Sequence, residues 1–156
     1  MLKSVLDKKV CAECRWCCGF DSTDIWELPM IERSVAERLK SSACPIKQIN
    51  GAYTFDLPCK ENEISLCPVL DKSKGCTLSN ADKPFDCKIW PLRVMKDGDD
   101  NVIAVCDSCP ALKDNTQELI ALLKTGLYQQ IKDYVKNNPA SIKPYDKDYT
   151  VLMQLK

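Results

Sequence analysis

Histidine is absent from the 156 residues of this chain. That absence excludes a Ser-His-Asp triad, a Cys–His dyad and an H-E-x-x-H zinc protease site. Glycine is sparse, with five residues at Gly19, Gly51, Gly75, Gly98 and Gly126. No two are close in sequence, so neither a G-x-G-x-x-G dinucleotide loop nor a G-x-x-x-x-G-K-[ST] phosphate loop can be written. Long apolar runs are missing too. The longest, Leu119 to Leu123 with alanine counted, is flanked by charge and far short of the roughly 20 residues a spanning helix needs. Met1 to Val10 alternates lysines with short apolar pairs, which does not make a secretory apolar core, and no leader is expected. Lys+Arg and Asp+Glu balance at 22 each, with no arginine cluster or long basic run. Nucleic acid is therefore not an expected partner, and the lysines, including Lys8-Lys9, read as a solvated surface. What remains for chemistry is cysteine, carboxylate or a bound inorganic centre.

Cysteine is abundant, at 11 residues. The run opens as Cys11-x-x-Cys14-x-x-Cys17-Cys18. Thiols this dense serve disulfide stapling or metal ligation. An odd count and no expected leader argue against stapling, and a cytoplasmic chain with this pattern is expected to hold metal. Structural zinc contributes on the order of 10–16 kcal/mol in small peptides, so bound metal would supply a large share of folding free energy. Cys11, Cys14 and Cys17 at a spacing of three can converge from one loop on one centre. Adjacent side chains diverge, so Cys18 serves a second centre, or is a non-ligating or redox partner. Cys106-x-x-Cys109 is a ligand pair or a redox pair. Cys-Pro at Cys44, Cys67 and Cys109 offers distant fourth ligands. Cys44 and Cys59 are otherwise read as small buried hydrophobes. Trp16 and Trp90 beside the cysteines are read as packing residues. Glu13, Asp86 and Asp107 gain no acid–base role from sequence proximity alone.

The length favours one domain. Residues 11–20 are expected to form a cysteine loop, followed by a short turn at 24–28 capped by Ser22 or Thr23. Pro29, Ile31, Val35 and Leu39 predict an amphipathic helix over 29–40. Residues 41–51 read as irregular and 52–57 as a weak strand. Little regular structure is expected from Cys59 to Pro91. Apolar runs at 88–95 and 102–105 around Asp97-Gly98 predict a hairpin. Leu119, Ile120, Leu123, Leu127, Ile131 and Val135 predict a helix over 114–137, capped by Asp114 with Gln117 and kinked or split at Gly126. Tyr145, Tyr149 and Val151-Leu152-Met153 are expected to pack over the domain.

Beyond the opening run, Cys67-Pro68-Val69-Leu70, Gly75-Cys76-Thr77-Leu78 and Lys83-Pro84-Phe85-Asp86-Cys87-Lys88-Ile89-Trp90-Pro91 follow in order. Together they resemble the YkgJ-like CxxCxxCC cysteine-cluster family, described as zinc- or iron-chelating and often labelled iron–sulfur oxidoreductases. The resemblance covers residues 11–109. It implies metal ligation by Cys67, Cys76 and Cys87 beside the opening run, with Cys106 and Cys109 where such proteins carry further cysteines. Lys83 and Lys88 stand where the family pattern has arginine, so an arginine fork there is not reproduced. Cys44 and Cys59 fall outside the motifs. Flagellin lysine N-methylases carry this kind of cluster, but a self-contained methylase would need the glycine-rich nucleotide loop this chain lacks.

The expected structure is a small, irregular, cysteine-rich α+β domain organised by metal, with a β-hairpin and flanking helices. Residues 1–112 would form the metal-binding domain and 113–156 a helical segment packed on it. The candidate ligands are Cys11, Cys14, Cys17, Cys18, Cys67, Cys76, Cys87, Cys106 and Cys109. An iron–sulfur cluster of the 4Fe-4S type is favoured by the triple spacing, the missing histidine and the resemblance. Zinc is favoured by the two CxxC pairs. The first implies electron transfer or an auxiliary redox step for a redox or client protein partner, and the second a structural or interaction module. A cluster-dependent enzyme acting on a protein or peptide is a third reading.

Overall fold

The computed structural model describes residue 2, residues 4–112 and residues 114–156, the side chain of Lys8 excepted. Helix accounts for 34% and strand for 25%, so the chain is α+β as its sequence indicates. Two compact units are present, one of Met1–Cys14 with Ile89–Lys156 and one of Arg15–Lys88. Among the described residues no helix is long and apolar enough to cross a membrane.

The first unit begins with α1 (Lys8–Cys14). The Asp7 carboxylate accepts the backbone N–H groups of Lys9 and Val10 at 3.0 and 3.2 Å. That satisfies two of the donors a helix start leaves open, and it explains why the opening cysteines lie on a helix rather than in the expected loop. The N–H of Asp7 donates to Ala111 (3.0 Å), and Asn115 Nδ2 donates to the Val5 carbonyl (2.8 Å).

The second unit opens with β1 (Gly19–Phe20), then α2 (Arg33–Ser41), β2 (Ile46–Ile49), β3 (Ala52–Phe55), β4 (Ser65–Leu66), β5 (Leu70–Asp71) and β6 (Gly75–Cys76). A last short helix, α3 (Phe85–Ile89), reaches its end. The helix expected from Pro29 starts four residues later. Its first residues are drawn into other bonds: Pro29 C=O accepts the Thr54 hydroxyl (2.9 Å), Met30 N–H donates to the buried Asp86 carboxylate (2.8 Å), and Ile31 N–H donates to Tyr53 (2.8 Å). Residues 46–55, of which 46–51 read as irregular, are a hairpin: Ile49 faces Ala52, and Asn50 and Gly51 both take positive φ (50° and 82°). Asn-Gly is the preferred loop for a type I′ turn, whose twist matches that of the strands. The short turn at Ile25–Glu27 has Asp24 at its N-cap and no side-chain cap bond, so neither Ser22 nor Thr23 caps it; the Asp21 carboxylate accepts the N–H groups of Thr23 and Asp24 just ahead of it. The core joins Phe20, Leu28, Ile31, Val35, Ala36, Leu39, Phe55 and Leu57, with Cys44, Cys59 and Cys67 packed against it.

The chain then returns to the first unit through β7 (Leu92–Asp97) and β8 (Asp100–Cys106). This is the expected hairpin, closed by a two-residue loop at Gly98-Asp99. After α4 (Thr116–Leu122) and α5 (Tyr128–Asn137) come β9 (Lys143–Pro144) and β10 (Tyr149–Gln154), giving a four-stranded sheet in the order β10-β8-β7-β9. Leu92 to Met95 and Val102 to Cys106 are buried without alternation, so this central pair is covered on both faces. The long helix expected over 114–137 is split where Gly126 stands at φ 128°, with a wide turn over Leu123–Leu127. Its apolar stripe of Leu119, Leu123, Leu127, Ile131 and Val135 is buried throughout.

Candidate metal centre

The site in the second unit begins with the backbone around Cys17 and Cys18. Arg15, in the left-handed region at φ 53°, is followed by a single 3-10 turn over Trp16–Cys18. Cys18 N–H donates back to Arg15 (2.9 Å). A tight turn of this kind does not let neighbouring side chains diverge as far as an extended backbone would. The two sulfurs stand 3.9 Å apart, against the expectation that adjacent thiols point away from one another.

The chain next enters β1, which pairs antiparallel with β4, Gly19 opposite Leu66. Cys67 N–H then donates to Cys18 C=O at 2.8 Å. Two cysteines 49 positions apart by their numbering are thus joined through backbone, which no sequence periodicity reports. Leu70 N–H donates to Cys67 C=O (3.0 Å), closing the Cys-Pro-Val-Leu turn, and β5 pairs with β6 so that Leu70 faces Cys76. Thr77 N–H and its hydroxyl both donate to Val69 C=O, at 2.9 and 2.8 Å. Cys67 and Cys76 therefore bracket one small hairpin, whose loop is tied to Arg15 by a guanidinium bond to Lys72 C=O.

Electrostatics link Cys67 to Cys17, Cys44 and Cys76. The Cys67 thiol is pushed up to about 11, first by burial, and further by the charges that Cys76, Cys44 and Cys17 carry when ionised, while a backbone bond from Val69 lowers it. Burial also raises Cys44. Removing thiolates from water and crowding them together disfavours the charged form. A bound cation reverses that balance, because it stabilises the anions that otherwise repel. Cys44 is the member that the motifs omit. It packs on the core as a small hydrophobe would, yet lies within electrostatic reach of Cys67. Its one signal in the sequence is the Cys44-Pro45 pair, matching Cys67-Pro68.

Cys87 is half-buried on α3, with its N–H donating to Pro84 (3.0 Å). Cys11 and Cys14 are exposed on α1 in the first unit. Cys106, the last residue of β8, and Cys109, three residues beyond it, are buried in the first unit and joined by a Cys109 N–H to Cys106 C=O bond of 3.3 Å. Cys59, read from the sequence as a small buried hydrophobe, packs against the second unit's core but is only half-buried.

Among the described residues, no three His, Cys, Asp or Glu side chains stand close enough together to hold a metal ion as they lie. The donor chemistry of the second unit nonetheless fits one: soft sulfur, no imidazole, and several thiols in mutual electrostatic contact. A tetrahedron with metal–sulfur bonds of about 2.3 Å has an edge of about 3.8 Å, and the Cys17–Cys18 separation of 3.9 Å matches it. Comparison with protein-family models, with curated proteins and with solved structures returns no match.

Proposed function

We propose that the chain is a metal-binding protein in which thiolates of the second unit, Cys17, Cys18, Cys67 and Cys76, hold an iron–sulfur cluster that serves electron transfer or an auxiliary redox step for a partner protein. The observation that carries this reading is the join of the Cys17-Cys18 turn to the small hairpin bracketed by Cys67 and Cys76, through the Cys67 N–H bond to Cys18 C=O at 2.8 Å. Thiolates gathered in this way repel one another when alone and are stabilised around a cation. A cluster there would supply a one-electron couple. The protein's part is to set its surroundings. Cys67 lies against the apolar core and takes a backbone hydrogen bond from Val69, while Cys76 is exposed. Burial, hydrogen bonds to sulfur and solvent exposure are the terms that tune the potential of such a centre. The exposed side offers a partner close approach.

A second reading, a closed structural zinc site in an interaction module, is favoured by the 3.9 Å separation of Cys17 and Cys18. Sulfurs at that distance suit one metal ion, whereas separate irons of a cluster hold their thiolates farther apart. Anaerobic purification with iron, zinc and acid-labile sulfide analysis separates the two, since zinc sites contain no sulfide. In either case Cys67→Ser or Cys76→Ser lowers the bound metal and Cys59→Ser does not. Full metal retention in both of the first two variants would remove the assignment.

A further inference from the structure

We propose that Cys17 and Cys18 form a redox switch on this centre: reversible oxidation to a disulfide between the two neighbours withdraws two thiolates and releases the metal. The inference rests on the metal–thiolate reading above and adds its regulation.

The geometry is already near closure. The sulfurs are 3.9 Å apart, and a disulfide of about 2.0 Å is reached by turning the side chains and distorting the peptide that links them. The backbone on either side is held, by the Cys18 N–H bond to Arg15, by the Cys67 N–H bond to Cys18 C=O and by the pairing of Gly19 with Leu66. Both residues are half-buried, so a small oxidant can reach them. The product is a strained bond. Consecutive Cα atoms are about 3.8 Å apart, inside the roughly 4.4–6.8 Å that disulfides ordinarily span. Strained, accessible disulfides are the readily reduced ones, suited to regulation rather than to permanent stapling.

The step balances with a glutathione-type disulfide as oxidant. One thiolate of the pair attacks its sulfur, breaking that S–S bond and expelling one glutathione thiolate. The second thiolate attacks the mixed disulfide and expels the other. The pair loses two protons and two electrons, and one glutathione disulfide becomes two thiols.

Zinc is the probe of choice, because it has no redox chemistry and its release reports on the thiols alone. Full-length protein, metal-free and zinc-loaded, is treated with glutathione disulfide, digested with trypsin and mapped by mass, while a chromophoric chelator follows released zinc. The fragment from Trp16 to Arg33 contains Cys17 and Cys18 and no other cysteine. The expected result is loss of two hydrogens from that fragment, zinc release in step with it, and reversal of both by excess reduced glutathione. Cys18→Ser should instead hold glutathione as a mixed disulfide, and Cys59→Ser should behave as wild type. The switch is overturned if the fragment never closes, or if it closes while zinc stays bound. Zinc bound without closure leaves the metal reading intact and removes the switch alone. Closure in a protein that binds no metal under any condition removes both.

Discussion

In metal-free protein, Cys67 should alkylate far more slowly than an unshifted thiol, and the size of the effect follows from its surroundings. Burial and the neighbouring cysteines push its thiol from the ordinary 9.0 up to about 11. The thiolate is the nucleophile. At pH 8 an unshifted thiol is about one-tenth ionised and Cys67 about one-thousandth, a thiolate population lower by about 100-fold, which the greater nucleophilicity of a higher-pKa thiolate offsets to about 10-fold in rate. Pulsed iodoacetamide labelling, read on the tryptic fragment from Glu61 to Lys72, reports this site, since that fragment holds no other cysteine. Steric shielding would also slow labelling, so the pH profile decides. The rate should rise tenfold per pH unit through pH 9 and level off near 11. The linkage has a definite sign. A folded-state value above the unfolded one favours the neutral thiol, so this stabilising contribution is complete below pH 9 and is lost as pH rises from about 9 to about 11. Metal binding must remove the same proton, so affinity should climb with pH across that window. A midpoint at or below 9 would refute the argument that burial and crowded thiols govern this site.

Other consequences follow from the packing and the turns. Phe55 is 1% exposed at the centre of the second unit's core, and Phe55→Ala should destabilise the unit by about 3–5 kcal/mol in urea unfolding. Gly51→Ala meets nothing within 4 Å but must hold φ at 82°, so it should cost about 1–2 kcal/mol from backbone strain alone. A loss well beyond that would mean the β2–β3 hairpin depends on Gly51 in some further way. The carboxyls of Asp21, Asp71 and Asp82 are held below 3.8, first by hydrogen bonds from Thr23, Ser73 and Ser79 respectively. Their contribution is present above pH 3.8 and disappears as pH falls through the lowered values. Ser79→Ala should raise Asp82 toward its ordinary value in a carboxyl NMR titration, with Arg38 at 2.8 Å retaining part of the shift.

Elements carrying periodic patterns were legible in the sequence. The stripe from Leu119 to Val135 and the Asp97-Gly98 hairpin both stand as read, because they depend on local chemistry and on which face is buried. Asn50-Gly51 is an equally local turn signal, set in a stretch that otherwise reads as irregular. The late start of α2 could not be read locally. Asp86, Thr54 and Tyr53 lie far along the chain and take the backbone groups that Pro29 to Ile31 would otherwise offer a helix. The site divides in the same way. The motifs named Cys17, Cys18, Cys67 and Cys76, but the Cys67 bond to Cys18 depends on β1 finding β4, and the nearness of the two sulfurs depends on Arg15 taking a left-handed turn. Spacing alone also placed Cys11, Cys14 and Cys17 in one loop. Asp7 caps a helix there, leaving Cys11 and Cys14 on α1 and Cys17 on the turn beyond it.

The most direct test of the central claim is metal and acid-labile sulfide analysis of anaerobically purified protein, with absorbance near 400 nm, on wild type and on Cys67→Ser. The account predicts a coloured protein with matched iron and sulfide, lost in the variant while Cys59→Ser keeps it. Stoichiometric zinc without sulfide would contradict the electron-transfer role and leave the zinc module. Wild-type protein with neither metal, after purification and reconstitution without oxygen, would contradict the thiolate centre itself.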